Sequence, residues 1–434
     1  MIRHFLTLAL LCGGIALSAQ TTDPQVTSWV LNTTSVTGYG GILSNVQTVQ
    51  YSGSQVYVSC SSVPSYSIGP WSSNPNVPSN QNLTHKFTRT PAQNTGSPVY
   101  TGLGQIGLWS NGVEIFNPKD GYYWNNSTSA FANGTTNNGW NRNAQYYEGI
   151  SFDACLGHPN QLGAYHNHVN PTCLYNSTNT SVHSPIIGYS FDGYPVYGAF
   201  AYTFTNGTGP IKRMTPSYVL ASSTGSVLLG SNTAPAATSS TASTTRNSGP
   251  AVNSTYPLGC MCEDYIYVPG AGDLDSHNGR FCITPEYPSG TYAYFVTIDA
   301  SGNPVYPFVI GPTYYGTVQT GNTGPGGGHV TITEATTVYS GTPIPTAIKE
   351  PETIRFQLLP NPTYDFLFVY MDNKSLNNVA FALYDEQGKL LQNQSYFQPS
   401  NAYSIDMRNY PGGIYYAVLF SGGQRVKQKI IKAE

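Results

Sequence analysis

Apolar and polar residues alternate with period two in short runs along this chain, and no long stretch carries the 3.6-residue period of a helix. "VQTVQYSGSQVYVSC" (Val46 to Cys60) puts alternate side chains on opposite faces of an extended backbone, as half-buried strands require. "GQIGLWSNGVEIFNPKDG" reads as two strands joined at Asn111-Gly112, a type I′ hairpin signal. "FDGYPVYG" (Phe191 to Gly198) reads as strand, Asp-Gly turn, strand. "GTYAYFVTIDASGNPVYPFVIGP" (Gly290 to Pro312) reads as strand, turn and strand. The pattern predicts a mainly β protein.

Breaks in the pattern mark the domains. "TAPAATSSTASTTRNSGP" (Thr233 to Pro250) is a low-complexity exposed loop or insertion. "TGNTGPGGGHV" and "GTPIPTAIKEPET" read as a Gly/Pro/Thr-rich linker. Beyond it Lys374, Lys389, Lys427, Lys429 and Lys432 appear, Cys does not, and short strands recur at the spacing of a small β-sandwich. The organisation expected is a leader over 1–19, an N-terminal β-rich segment over 20–145 packed against the next domain, a large irregular β-rich domain over 146–320, a linker over 321–353, and a C-terminal β-sandwich over 354–434.

Composition narrows the class. Charged residues make up 9% of the 434-residue chain, against roughly 25% in ordinary soluble proteins. Hydroxyl and amide groups therefore solvate this surface in place of ion pairs. The net charge of −3 supplies no basic footprint for nucleic acid. "MIRHFLTLALLCGGIALSAQ" has a cationic start, an apolar run and Ser18-Ala19, which predicts a signal peptide cleaved after Ala19 and export to the periplasm. No other stretch approaches the ~20 apolar residues of a membrane helix, so no transmembrane segment is expected. Beyond Cys12 in the leader, Cys60, Cys155, Cys173, Cys260, Cys262 and Cys282 remain, and an even count in an exported chain favours disulfides. Cys155 with Cys173 is the favoured pair because it brackets a close pair of histidines.

"YHNHVNP" (Tyr165 to Pro171) holds two of the eight histidines one residue apart. Residues i and i+2 of a strand share a face, so His166 and His168 present two imidazoles side by side, with Tyr165 and Asn167 opposite and Pro171 ending the strand. His158 in "LGHPN" and His183 in "VHSP" flank them beside turn-forming residues. His158, His166, His168 and His183 are therefore the candidate metal ligands, with Asp153, Asp192 and His277 as additional candidates. An imidazole-rich site in an oxidising compartment suits copper or zinc, and open coordination would favour catalysis. No G-x-S-x-G setting accompanies the histidines, which argues against a serine hydrolase. In "GDLDSHNGR", Asp273 and Asp275 alternate like calcium ligands but lack the distal Glu, so a tight turn at Asn278-Gly279 is expected.

Two resemblances rest on these motifs. "FQLLPNPTYDFLFVY", "ALYDEQGKLL" and "YPGGIYYAVLFSGGQRVKQKIIK" resemble, in order, the type A C-terminal sorting domain of the type IX secretion system. That resemblance implies recognition of 354–434 by the type IX machinery and delivery to the medium or the outer cell surface. "DACLGH", "AYHNHVNPTC", "HSPIIGYSFDGYPVYG", "GDLDSHNGRFCITPEYPSGTYAYFVT" and "YPFVIGPTYYG" resemble the YHYH domain family, with Asn167 standing where the motif has its second Tyr. This second resemblance implies architecture more readily than activity. Two functions are compatible with the sequence. One is a secreted metalloprotein, either a metal-dependent hydrolase or an oxidase, acting on an unidentified small molecule. The other is a surface adhesion module, in one form glycan-binding, with structural histidines. Deleting 354–434 is expected to trap the protein in the periplasm, scored by surface labelling and cell fractionation; normal surface display of the truncated chain would contradict the sorting assignment.

Overall fold

A computed structural model describes residues 22–137, 139–221, 249–324, 326–341, 356–371, 379–387, 389–397, 403–421 and 424–433. The expected signal peptide, most of the low-complexity stretch and the end of the expected linker lie outside the described residues. The chain divides into two units, Met1–Thr342 and Pro343–Glu434.

In the first unit, Val46–Tyr51 (β1), Gln55–Cys60 (β2) and Leu83–Thr88 (β3) form an antiparallel sheet, as their period-two pattern dictates. The second sheet has eight strands: Gln105–Trp109 (β4), Glu114–Phe116 (β5), His158–Pro159 (β6), Tyr165–Asn167 (β7), Ile186–Ser190 (β8), Pro195–Tyr197 (β9), Gly279–Cys282 (β10) and Thr291–Phe295 (β11). Their spatial order is β10-β11-β9-β8-β4-β5-β7-β6. Strands β8, β9 and β11 are buried along their whole length, as the centre of a sheet covered on both faces requires. One core cluster joins the two sheets through Val49, Val56, Val58, Phe87, Leu108 and Tyr189. A second cluster holds Ile106, Ile115, Tyr165, Val196 and Tyr294 with Tyr306 and Phe308. The second unit forms a three-stranded and a four-stranded sheet around Leu367, Val369, Leu383, Leu419 and Ile430. It is the β-sandwich expected.

Four local expectations need correction. The division at 145/146 separates nothing, because β4 and β5 lie between β8 and β7 in one sheet. The part of the expected linker over 326–341 packs onto the first sheet, where Thr337–Val338 pairs with β1, and Asn322 just before it bonds both backbone groups of Lys86. Glycines 321, 324, 326 and 328 all take positive φ there, so the Gly-rich composition serves tight turns, not a free tether. The Asn111-Gly112 hairpin forms, but only Gly112 has positive φ. The turn is therefore not type I′, which needs positive φ at both positions. Finally, the second strand expected within Gly290 to Pro312 is reduced to an isolated bridge between Ile298 and Pro304.

Cys155 and Cys173 form a disulfide. Cys60, Cys260, Cys262 and Cys282 are buried thiols, so the even cysteine count does not translate into three bridges. These four sit among apolar side chains and fill core volume as small hydrophobes do.

Between the sheets, His85 Nε2 lies 3.7 Å from Glu114 Oε1, and both side chains are inaccessible or nearly so. Burial pushes the Glu114 carboxyl up to about 8. Burial first, and the charge of His329 second, push His85 down to about 3. The contact is therefore between neutral groups, because burial penalises both charged forms. From pH 4.5 to 8 the unfolded chain has released the Glu114 proton while the folded chain keeps it, so stability falls as pH rises through that window. Glu114→Gln should flatten this decline, by on the order of a few kcal/mol across the window; chemical denaturation at several pH values checks it, and parallel profiles for both proteins would contradict it. For the disulfide, Cys155→Ser with Cys173→Ser should cost about 3 kcal/mol in the same assay, from the loop entropy released.

Candidate metal centre

The β6–β7 hairpin brings the first two histidines together. The strands pair antiparallel with His158 directly opposite His166, and cross-strand partners lie within about 5.5 Å at Cβ. The hairpin turn is held by Asn160, whose Oδ1 accepts from the backbone N–H of Leu162 and of Ala164 at 2.9 and 3.0 Å. Gly163 takes the positive φ this turn needs. His168 lies on the same side as His166. Tyr165 and Asn167 point away: the Tyr165 hydroxyl donates to Asp153, and Asn167 Nδ2 donates to the carbonyls of Cys155 and Leu156. The strand stops at Asn167, short of Pro171.

The Nε2 atoms of the three imidazoles converge. His158 to His166 is 3.1 Å, His166 to His168 is 3.0 Å, and the three ligand atoms lie within 4.8 Å of one another. The opposite ring nitrogens fix the protonation. His166 Nδ1 lies 3.0 Å from the Ala164 carbonyl and His168 Nδ1 lies 2.5 Å from the Asn117 carbonyl. A carbonyl only accepts, so each Nδ1 carries the hydrogen. His158 Nδ1 meets Ser151 Oγ at 2.8 Å. That hydroxyl already donates its single hydrogen to the Glu148 carbonyl at 2.7 Å, so it accepts from His158. All three rings thus turn Nε2 toward one spot, and His158 and His166, which burial holds neutral, present it there as a lone pair. Two lone pairs 3 Å apart make no hydrogen bond with each other.

Aromatic rings hold the imidazoles in place. Phe116 stacks on His166 with centroids 3.7 Å apart, and Phe152 meets His158 edge-on at 4.9 Å. All three histidines are at most 5% exposed. Burial first, and the neighbouring His168 second, push His158 down to about 4. Burial, with His158 and His168 adding to it, holds His166 well below the ordinary range. Both remain neutral and available as ligands at physiological pH.

A fourth group reaches the cluster. Glu148 Oε2 lies 3.2 Å from His168 Nε2 and 3.9 Å from His158 Nε2. Glu148 caps the short helix Ala144–Tyr147, and the adjoining turn Gly149–Ser151 supplies Ser151. Glu148 and the three histidines line one cleft of about 590 Å³, together with Asn74, Asn76, Phe116, Asp120 and Ile150.

The remaining sequence candidates lie elsewhere. His183 Nδ1 donates to the Ser184 carbonyl, and its ring packs against Tyr197 and Tyr202. It is not part of the converging set, and Glu148 is the residue that approaches the set instead. Asp153 accepts from the N–H groups of Gly69, Cys155 and Gly157, which ties the loop around the disulfide. Asp192 is fully buried and accepts from the Tyr294 hydroxyl and Gly316 N–H. His277 bonds Thr313, beside the turn in which Asp275 accepts from the N–H of His277 and of Gly279. Glu148, Ser151 and Asn117 were not singled out by the sequence. A carboxylate ten residues before His158, in a chain so poor in charge, was the one available signal.

Comparison with known proteins bears on both units. A family model described as "YHYH protein" matches residues 84–306, more than half of the chain, and one described as "Secretion system C-terminal sorting domain" matches 357–433. No curated protein matches. Among solved structures, a DUF3244 family protein with an immunoglobulin-like β-sandwich fold from Bacteroides vulgatus is 11% identical over 18% of this chain and 96% of its own, with a TM-score of 0.16. Dimeric latent PorU from Porphyromonas gingivalis is 22% identical over 18% of this chain and 9% of its own, with a TM-score of 0.15. The sorting domain makes this a secreted or cell-surface protein handled by type IX secretion. The segment that carries His166 and His168 falls inside the first match, and by that match the chain belongs to the YHYH protein family.

Proposed function

We propose that the protein is a secreted metalloprotein that binds one copper or zinc ion through His158, His166 and His168, with Glu148 at the edge of the site. The observation that carries this reading is the orientation of all three rings, whose Nδ1 atoms are hydrogen-bonded and whose Nε2 atoms are directed at one point. The spacing supports it: Nε2 atoms 3.0 and 3.1 Å apart fit bonds of about 2.0–2.1 Å to a shared ion. Each ligand's other nitrogen is already hydrogen-bonded, the outer arrangement that orients metal-binding imidazoles and raises their basicity. Three protein nitrogens facing a cleft leave a coordination position for water or substrate, as catalytic sites do and closed structural sites do not. The thiols Cys260 and Cys262 take no part in this reading, since both are buried in apolar surroundings.

The mature protein, stripped of metal and titrated with zinc or copper, should take up about one equivalent by elemental analysis. His166→Ala should abolish uptake and His183→Ala should not. Ser151→Ala should weaken binding about 10–100-fold, with Ser151→Thr restoring it. Uptake of less than about a tenth of an equivalent by the wild type, or equal losses from His166→Ala and His183→Ala, would overturn the proposal.

A further inference from the structure

Resting on the metal reading above, we infer that Glu148 is the general base of a hydrolytic centre that cleaves an ester in the cleft. Its place relative to the histidines is the starting point. Glu148 Oε2 approaches His168 Nε2 at 3.2 Å and His158 Nε2 at 3.9 Å, and the mutually close set of ligand atoms comprises the three imidazoles without it. The carboxylate flanks the cluster on one side, and its side chain, 30% exposed, is more open than those of the histidines beside it. It stands where the cluster meets the cleft, so Glu148 is the side chain that would face a water held there by a bound ion.

The base is also held to the ligands by its own backbone. The Glu148 carbonyl accepts from Ser151 Oγ, which accepts in turn from His158 Nδ1. One short turn therefore sets both the ring orientation of a ligand and the origin of the carboxylate side chain, as a base that must stay aligned with a bound water requires. The cleft lining contains neither Cys nor Met, the sulfur donors that tune copper for electron transfer. Its walls combine the amides of Asn74, Asn76 and Gln161 with the apolar Phe116 and Ile150, and one cation, Lys119, is set against the carboxyls of Asp120 and Glu148. A lining with no excess of positive charge is suited to a neutral carbonyl compound rather than to a polyanion. In the reaction, the water oxygen forms a bond to the ester carbonyl carbon and its proton passes to Glu148. The carbon–oxygen bond then breaks, and the proton goes to the departing alkoxide, giving acid and alcohol with Glu148 restored.

The test uses the zinc-loaded mature protein and 4-nitrophenyl acetate. Hydrolysis should exceed that of the same concentration of free zinc. Glu148→Gln should keep its zinc and lose kcat about 100-fold or more, with little change in KM, while Glu148→Asp keeps part of the rate. Equal rates in wild type and Glu148→Gln, both loaded with zinc, would overturn the role of Glu148 alone. Loss of zinc from Glu148→Gln would make it a ligand and also overturn the inference, as would a wild type no faster than free zinc. A wild type that takes up no zinc fails the metal reading itself and removes this inference with it.

Discussion

Three unprotonated imidazole nitrogens aimed at one point repel one another unless a positive charge sits among them. Everything around the cleft enforces that arrangement. The Ala164 and Asn117 carbonyls and the Ser151 hydroxyl accept from the three Nδ1–H groups, so flipping any of the rings gives up a hydrogen bond inside the fold. A single proton on His168 would satisfy Glu148, yet His158 and His166 would still face each other lone pair to lone pair. An ion shared by all three, as proposed, would remove the conflict at once.

The fold sustains the arrangement by building it on a sheet edge. Strand β6 is the last in the eight-stranded sheet, and β7 is anchored on its far side to β5. Phe116 on β5 therefore stacks directly on His166. On the opposite face of β7, Tyr165 and Asn167 tie into the Asp153–Leu156 loop, which the disulfide to Cys173 closes. The two faces of one three-residue strand thus have separate tasks. One face packs and bonds to the loop, and the other presents ligands. Asn167 stands where the family motif has Tyr, and its amide bonds two loop carbonyls. That residue lies on the packing face, so the departure from the motif leaves the ligand face intact.

Much of this could be read from local sequence. The i, i+2 spacing of His166 and His168 predicts a shared face because the strand period is two, and the flanking cysteines predict the bridge. His158 was legible through the turn just after it. The parts that could not be read depend on contacts between segments remote in sequence or on geometry that composition does not encode. His183 is near the other histidines in sequence, but β8 and β9 carry it to Tyr197 and Tyr202 instead. Asp153 and Asp192 are polar residues near the motifs whose oxygens are consumed by backbone donors and, in each case, a tyrosine hydroxyl. Glu148 and Ser151 reach the site through a short helix and turn with no helical periodicity to announce them. The Gly-rich stretch read as linker shows the same limit, since positive-φ glycines make tight packed turns as readily as loose tethers.

The central claim is that the three imidazoles share one ion, and X-ray absorption at the metal edge of the protein loaded with one equivalent of zinc reads that directly. The predicted result is a first shell dominated by imidazole nitrogens at about 2.0–2.1 Å, with the outer-ring scattering of histidine. A shell of oxygen alone, or one with sulfur at about 2.3 Å from the buried thiols, would contradict the shared site.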